Sequence, residues 1–328
     1  IHDLSLSEEV AFRAHFHGAN PAPADLYWRT IVLWRTDGET WTRGRIAPFT
    51  NSYQGTGVAL RYTLTLEPSG QPWLPALDLP VGTPTGTRLG SGFVLERTHA
   101  LHERVALEMR AHPRYQLTQL TTAERTAALQ LPGPPSARLA GLVHTLRNQG
   151  RDDEGLVRAV LQHFRRAPFA YTLEPPLLGN NPVEEFLFET QRGFCEHYAA
   201  AFVTLLRHAG VPARVVTGYQ GGEHNPARNY YIVRQSAAHA RAEAWLPERG
   251  WVRVDPTAAI APERIEYGSR ALVRLLNRGA TLGGIPPELL RDMLATGTFD
   301  GLRAQARLAW DAVNTGWTRW VLGYDVQR

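Results

Sequence analysis

Apolar and polar side chains alternate with a period of two through the first third of the chain, which predicts β-strands. The alternating segments are 10–16, 58–66 and 105–109. Leu26 begins a longer apolar run that predicts a further strand, and the Asp37-Gly38 pair after it predicts a hairpin. Together these patterns predict a β-rich, sandwich-like domain over residues 1–118. No catalytic constellation is visible in it, so we expect a scaffold or docking role.

From about residue 119 the apolar spacing changes to the period of helices. Amphipathic patterns predict helices over 139–146 and 156–164, and Pro182 begins a short third helix. Strand patterns follow at 213–219, 230–235, 239–245 and 250–257. Helices followed by a sheet are typical of an α+β domain, which we place at 119–267.

The last segment, 268–328, is predicted to be a helical tail. Its apolar face carries several aromatic side chains, among them Trp310, Trp317, Trp320 and Tyr324. The simpler interpretation is a helix packed back on the catalytic domain. The alternative is a segment leading toward a membrane, because Trp and Tyr concentrate at membrane surfaces.

Cys195 is the one cysteine of the chain and begins a helical pattern. A thiol on the first turn of a helix lies at the positive end of the helix dipole, which favours the nucleophilic thiolate. Such a thiol needs a base and a group that orients the base. His239 opens one predicted strand and Asp255 closes the next, so the fold can bring them together. His197 is a poor base, because residues two apart on a helix do not face each other.

Each of these signals is weak when taken alone. A single cysteine is more often a small buried residue than a nucleophile, and any one of the 12 histidines is more often structural. The order of Cys, His and Asp on a helix and two strands is more informative.

Composition excludes several classes of protein. The 328 residues carry a net charge of +4, and all 35 basic residues are Arg, with no Lys. The charges are scattered, which argues against nucleic-acid binding. A single cysteine allows no internal disulfide, and no metal-ligand spacing is visible. No apolar run reaches the ~18 residues of a membrane span. Because the first residue is Ile1, we expect a fragment of a longer protein. We also expect this fragment to be a monomer.

Four motifs of the second half resemble the transglutaminase-like superfamily. They are Gly193-Phe194-Cys195-Glu196-His197-Tyr198-Ala199, the stretch from Ala209 to Tyr219, Ala238-His239-Ala240, and the stretch from Gly250 to Thr257. Further segments resemble its bacterial inner-membrane branch, the TgpA group. These are 26–29, 186–190, 220–223 and 261–265. The resemblance spans nearly the whole chain.

The resemblance implies a papain-like transglutaminase core, with Cys195 as nucleophile, His239 as base and Asp255 as orienting residue. It implies protein-glutamine gamma-glutamyltransferase activity on protein or peptide substrates that carry glutamine and primary amines, cell-envelope components among them. It also implies a periplasmic portion of a membrane-anchored protein. Tyr171, in the extended stretch before the site, is our candidate oxyanion donor; a packed core tyrosine is the alternative. We expect no cofactor, and no acidic cluster indicates the calcium site of animal relatives.

Two positions beside His239 depart from the family pattern. Ala237 and Ala238 stand where the family usually has Asp then Ala, and Arg241 stands where Trp is common. Neither removes a triad member, so the departures bear on rate and substrate preference. The sequence also leaves open a cysteine hydrolase (deamidase or peptidase) with the same triad, or a non-catalytic binding module. Binding alone does not need an intact triad.

Overall fold

The computed structural model describes residues 7–47, 49–50, 52–226 and 228–260. The helices of these residues are α1 (Thr122–Ala128), α2 (Ala137–Gln149), α3 (Asp153–Arg166), α4 (Pro182–Glu185) and α5 (Cys195–His208). Short turns of 3-10 helix lie at Pro23–Asp25, Gln235–Ala237 and Pro256–Ala259, and a π-helical turn lies at Phe186–Thr190. The tail predicted over 268–328 falls outside the described residues.

The strands are mostly short and lie on both sides of the helical segment. In chain order they are β1 (Val10–Phe16), β2 (Tyr27–Leu33), β3 (Arg35–Thr36), β4 (Trp41–Thr42), β5 (Gln54–Gly55), β6 (Leu60–Leu66), β7 (Trp73–Leu74), β8 (Ala76–Leu77), β9 (Leu79–Pro80), β10 (Thr87–Gly90), β11 (Val94–Arg97), β12 (Val105–His112), β13 (Tyr115–Gln116), β14 (Ala170–Tyr171), β15 (Arg192–Gly193), β16 (Ala213–Gln220), β17 (Glu223–Asn225), β18 (Tyr230–Arg234), β19 (Ala238–Leu246) and β20 (Gly250–Val254).

Two antiparallel sheets organise the described residues. One has the order β17-β18-β1-β6-β12-β9, and the other has the order β20-β19-β16-β2-β8. The predicted α+β class, with helices packed on an antiparallel sheet and a β-rich N-terminal region, is confirmed. Each sheet takes strands from both halves of the chain, since β1 pairs with β18 and β2 pairs with β16. The domain boundary near residue 118 stays a prediction.

The alternation of side chains along β19 explains how α5 packs on the second sheet. Ala240, Ala242 and Ala244 share a buried apolar cluster with the residues of α5. Their small side chains let the helix approach the sheet closely. Arg241 and Glu243 alternate with them, so they lie on the opposite face of the sheet. This arrangement places Cys195 at one end of a helix that runs over the strand carrying His239.

Arg207 anchors the other end of α5. Its guanidinium is buried and donates to the backbone oxygens of Trp34 at 2.9 Å, Gln130 at 2.7 Å and Ala213 at 2.8 Å. These contacts tie the helix to the residue that follows β2, to the segment after α1 and to the start of β16. The position of Cys195 is therefore determined from the far end of its helix as well as from its own turn.

Candidate active site

The turn before Cys195 is shaped by a short parallel strand pair. Tyr171 of β14 pairs with Gly193 of β15, and the Gly193 oxygen accepts from the Thr172 N–H at 2.8 Å. Gln191 turns the chain with a φ of 49° in the left-handed region. A Cβ on Gly193 would come within 2.8 Å of the His197 side chain. Glycine is therefore needed for the chain to enter α5 at this angle.

His197 has a structural role at the start of α5. The Phe194 N–H donates to its Nδ1 at 3.3 Å, and its ring packs edge-on against the Phe194 ring. An Nδ1 that accepts from the backbone leaves the proton of the neutral ring on Nε2, so the ring is poorly placed to act as a base. The geometry agrees with the expectation that His197 is not the base.

His239 and Asp255 are brought together by two paired strands. His239 is the second residue of β19, and Asp255 directly follows β20, which pairs with β19 in antiparallel register. The His239 Nε2–H donates to the Asp255 Oδ2 at 2.5 Å. Because Nε2 is used in this way, the other ring nitrogen is left for the Cys195 thiol, whose interaction with His239 contributes to the raised pKa of the imidazole. The structure thus joins the three residues that the sequence nominated.

Thr257 holds the second oxygen of the Asp255 carboxylate. The Thr257 N–H donates to Asp255 Oδ1 at 2.9 Å, and the Thr257 hydroxyl donates to the same oxygen. Burial raises the pKa of the Asp255 carboxyl, but the charge and hydrogen bond of His239 and the bonds from Thr257 outweigh burial, so the pKa is lowered overall. The carboxylate is ionised and fixed toward the imidazole.

The imidazole of His239 is 1% exposed, and its protonation is set by its two partners. Burial lowers the pKa of His239, whereas the charge and hydrogen bond of Asp255, with smaller contributions from Cys195, raise it to about 9. The site therefore favours a protonated imidazole beside a carboxylate and a thiol. This is the arrangement that a thiolate–imidazolium nucleophile requires.

Tyr171 lies beside the entry to the helix. It is half-buried, its hydroxyl is buried, and its ring is stacked on Tyr198 with 6.5 Å between centroids and 15° between planes. Tyr171 is paired with Gly193, which precedes Cys195 by two positions in the sequence. Its nomination as an oxyanion donor stays a prediction.

Several residues that surround the triad carry no motif that marks them in the sequence. Tyr27 lies against His239, Thr257 holds Asp255, and Asp78 pairs with Arg241. An acidic residue within the apolar run of 73–80 was a signal that Asp78 is buried with a charged partner. The Asp-Pro-Thr sequence at Asp255 was a signal for the turn that Thr257 closes.

Within the described ranges, no group of three or more His, Cys, Asp or Glu side chains could hold a metal ion. The helices that the structure describes include none with the length and apolar character of a membrane span.

A cysteine at a helix N-terminus beside a His–Asp pair on neighbouring strands defines the papain-like class of acyl-transfer site. Comparison with known families agrees with this class. Residues 140–256 match the transglutaminase-like superfamily, and residues 1–118 match the TgpA N-terminal domain. The chain belongs to the transglutaminase-like superfamily, in the group that carries a TgpA N-terminal domain.

Individual relatives support the same assignment. The crystal structure of the periplasmic domain of TgpA from Pseudomonas aeruginosa is 44% identical, with a TM-score of 0.77 over 81% of this chain and 94% of that one. A curated protein-glutamine gamma-glutamyltransferase of the same organism is 43% identical over 99% of this chain. This chain spans 48% of the length of that relative. An uncharacterized protein, YebA, from Bacillus subtilis is 37% identical over 39% of this chain.

Proposed function

We propose that this chain is the periplasmic, catalytic portion of a membrane-anchored protein-glutamine gamma-glutamyltransferase. The observation that carries the proposal is the hydrogen bond between His239 and Asp255, beside a Cys195 thiol that interacts with the same imidazole. The names of the relatives from Pseudomonas aeruginosa support the activity and the compartment. In this proposal residues 1–118 form a β-rich domain, 119–267 the catalytic domain, and 268–328 a tail toward the membrane.

The first half of the reaction releases ammonia. The Cys195 thiolate attacks the carboxamide carbon of a glutamine side chain, and the C–N bond breaks after His239 gives its proton to the departing amine. One ammonia leaves, and a thioester joins Cys195 to the substrate. The Asp255 carboxylate keeps the imidazole oriented and stabilises its positive charge, as the orienting residue of such triads does.

The second half transfers the acyl group. A primary amine, such as a lysine side chain of a second protein, loses a proton to His239 and attacks the thioester carbon. The C–S bond breaks, an isopeptide bond forms, and the thiolate–imidazolium pair is restored. Attack by water would give glutamate instead, so the outcome depends on how well the site excludes water.

Two donors are proposed for the oxyanion that forms in both halves. The first is the backbone N–H of Cys195, because the first N–H groups of a helix have no partner within it. The second is the Tyr171 hydroxyl, supported by the pairing of Tyr171 with Gly193. No metal ion takes part in this scheme, and the substrates are proteins or peptides that carry glutamine and primary amines, cell-envelope components among them.

The test is incorporation of a labelled primary amine into a glutamine-rich protein, with ammonia release followed in parallel. Cys195→Ala and His239→Gln should each abolish incorporation, whereas His208→Gln, at the far end of the same helix, should retain it. Ammonia release without incorporation would overturn the transfer step and indicate a deamidase. Absence of both signals would overturn the proposal in favour of a peptidase or a binding module.

A further inference from the structure

Tyr27, which lies in the N-terminal part of the chain, packs directly behind the catalytic imidazole. Its ring meets the His239 ring edge-on, with 6.4 Å between centroids and 78° between planes. Its hydroxyl is shared between the backbone oxygen of Val216 at 3.0 Å and that of His239 at 3.4 Å. Tyr27 is 1% exposed. It therefore contacts both the side chain and the main chain of His239.

Arg241 and Asp78 hold Tyr27 in this position. The Arg241 guanidinium lies over the Tyr27 ring, 3.5 Å from its centroid, and its Nη2 donates to both Asp78 oxygens at 2.8 and 2.9 Å. The Asp78 N–H donates to the backbone oxygen of Tyr27 at 3.1 Å. One ion pair thus fixes the tyrosine at its ring and at its backbone.

Asp78 is itself fixed by further buried charges. Arg29 Nε donates to its carboxylate at 3.2 Å, and Arg253 Nη1 donates at 2.7 Å. Burial raises the pKa of Asp78, but the charges of Arg241, Arg29 and Arg253 outweigh burial and lower it, so the carboxylate stays ionised. Breaking one contact of such a buried network would leave a charge without its partner, which costs free energy. The network therefore holds its side chains in fixed positions.

We infer that Tyr27 is a positioning residue for the catalytic imidazole, and that Arg241 and Asp78 act through it. The inference rests on the proposed role of His239. The imidazole must reach Asp255 with one nitrogen and the Cys195 thiol with the other, so a small rotation breaks one of the two contacts. The Tyr27 hydroxyl holds the main chain of His239 while its ring borders the imidazole, so the hydroxyl contributes to the direction in which the imidazole points. The N-terminal region thereby completes the active site, beyond the scaffold role expected from its sequence.

Arg241, which stands where the family commonly has Trp, supports Tyr27 and pairs with Asp78. An aromatic residue at this position has no charge to pair with Asp78. Arg241 combines a flat face for Tyr27 with donors for the carboxylate, a combination that Lys does not offer. Arg241→Lys should therefore keep the buried charge and lose the contact that supports the tyrosine.

The test compares Tyr27→Phe with Tyr62→Phe in the chain of residues 1–328. Tyr62 is also fully buried in the N-terminal region, and its hydroxyl accepts from the Leu77 N–H at 2.9 Å. It lies in the other sheet, so the pair is matched for loss of one buried hydroxyl. Three quantities are measured: the midpoint of thermal unfolding, kcat and KM for amine incorporation, and the rate of alkylation of Cys195 by iodoacetamide near pH 7.

Tyr27→Phe should lower both kcat and the alkylation rate about tenfold with KM within about twofold, since small misplacements of a catalytic group have effects of this size. Tyr62→Phe should change neither rate by more than about twofold. Arg241→Lys should lower kcat and the alkylation rate to a similar extent as Tyr27→Phe. Equal rates in the two tyrosine variants would overturn the inference and assign Tyr27 to packing alone. If the wild-type chain incorporates no amine, the proposed function fails, and the alkylation rates still decide the role of Tyr27.

Discussion

The His239 Nε2 lies 2.5 Å from the Asp255 Oδ2, although the two residues are 16 positions apart, with His239 in β19 and Asp255 directly after β20. The contact orients the imidazole and supports its positive charge. It also gives the site a measurable dependence on pH and on the residues that hold Asp255.

The stability of the fold should depend on pH through His239. Its pKa is raised from 6.5 to about 9, so the folded state binds a proton more tightly than the unfolded state does. The stabilisation is fully present below about pH 6.5 and is lost as the pH rises through about 9. Thermal unfolding of wild type and His239→Gln should therefore differ more at pH 6 than at pH 10. A difference that grows with pH would contradict this sign; His144→Gln, at an exposed helix position, is the control.

Thr257→Val should lower kcat about tenfold with little change in KM. The variant keeps the side-chain shape and removes the hydroxyl that donates to Asp255 Oδ1. The carboxylate can then rotate away from the imidazole. This raises the free energy of the transition state and leaves the binding of the substrate unchanged. Steady-state amine incorporation measures both constants. An unchanged kcat would show that the Thr257 backbone N–H alone is enough to hold Asp255.

Tyr171→Phe tests the proposed oxyanion donor. Loss of one donor to an oxyanion typically costs about 100-fold or more in kcat, and the phenyl ring keeps the stack on Tyr198. We expect kcat to fall by about this factor with KM preserved. Tyr53→Phe is the control, because it removes a tyrosine hydroxyl of the N-terminal region, which donates to the Leu79 oxygen at 3.0 Å. A fall in stability with unchanged kcat would assign Tyr171 to the core.

The absence of Lys predicts that the untagged chain of residues 1–328 does not build self-crosslinked ladders. Transfer needs a primary amine, and this chain offers only its N-terminal amine as an acceptor. Electrophoresis after incubation with a glutamine-rich protein that also lacks lysine should show no new high-mass species. Addition of a lysine-containing protein should restore crosslinking. Ladders of the untagged chain alone would refute the prediction.

Local pattern was sufficient to predict the elements that carry Cys195 and His239. The strand predicted over 250–257 ends at Val254, because Asp255 caps a 3-10 turn that Pro256 begins. The apolar period after Cys195 predicted a helix, and α5 spans Cys195–His208. The strand predicted over 239–245 is found at Ala238–Leu246. These elements are long and strongly periodic, so neighbouring residues alone determine them. The resemblance to the transglutaminase-like superfamily and its TgpA group, drawn from the motifs around them, is confirmed by the family matches.

The surroundings of the triad could not be predicted in the same way. The contact of Tyr27 with His239 spans 212 positions. It depends on the pairing of β2 with β16 in the sheet that also contains β19. The spacing of apolar residues along the chain does not indicate which distant strands pair. Likewise, the alternation of Arg241 and Glu243 with alanines predicts two faces of a strand, but not that the charged face is buried against Asp78 and Arg29.

The thioester proposed at Cys195 can be detected in the intact mass of the protein after incubation with a short glutamine peptide and no amine acceptor. We predict an adduct of the peptide mass less one ammonia, located on Cys195 by fragmentation and absent in Cys195→Ala. Addition of a primary amine should remove it. An adduct on another residue, or amine incorporation that persists in Cys195→Ala, would show that Cys195 is not the nucleophile.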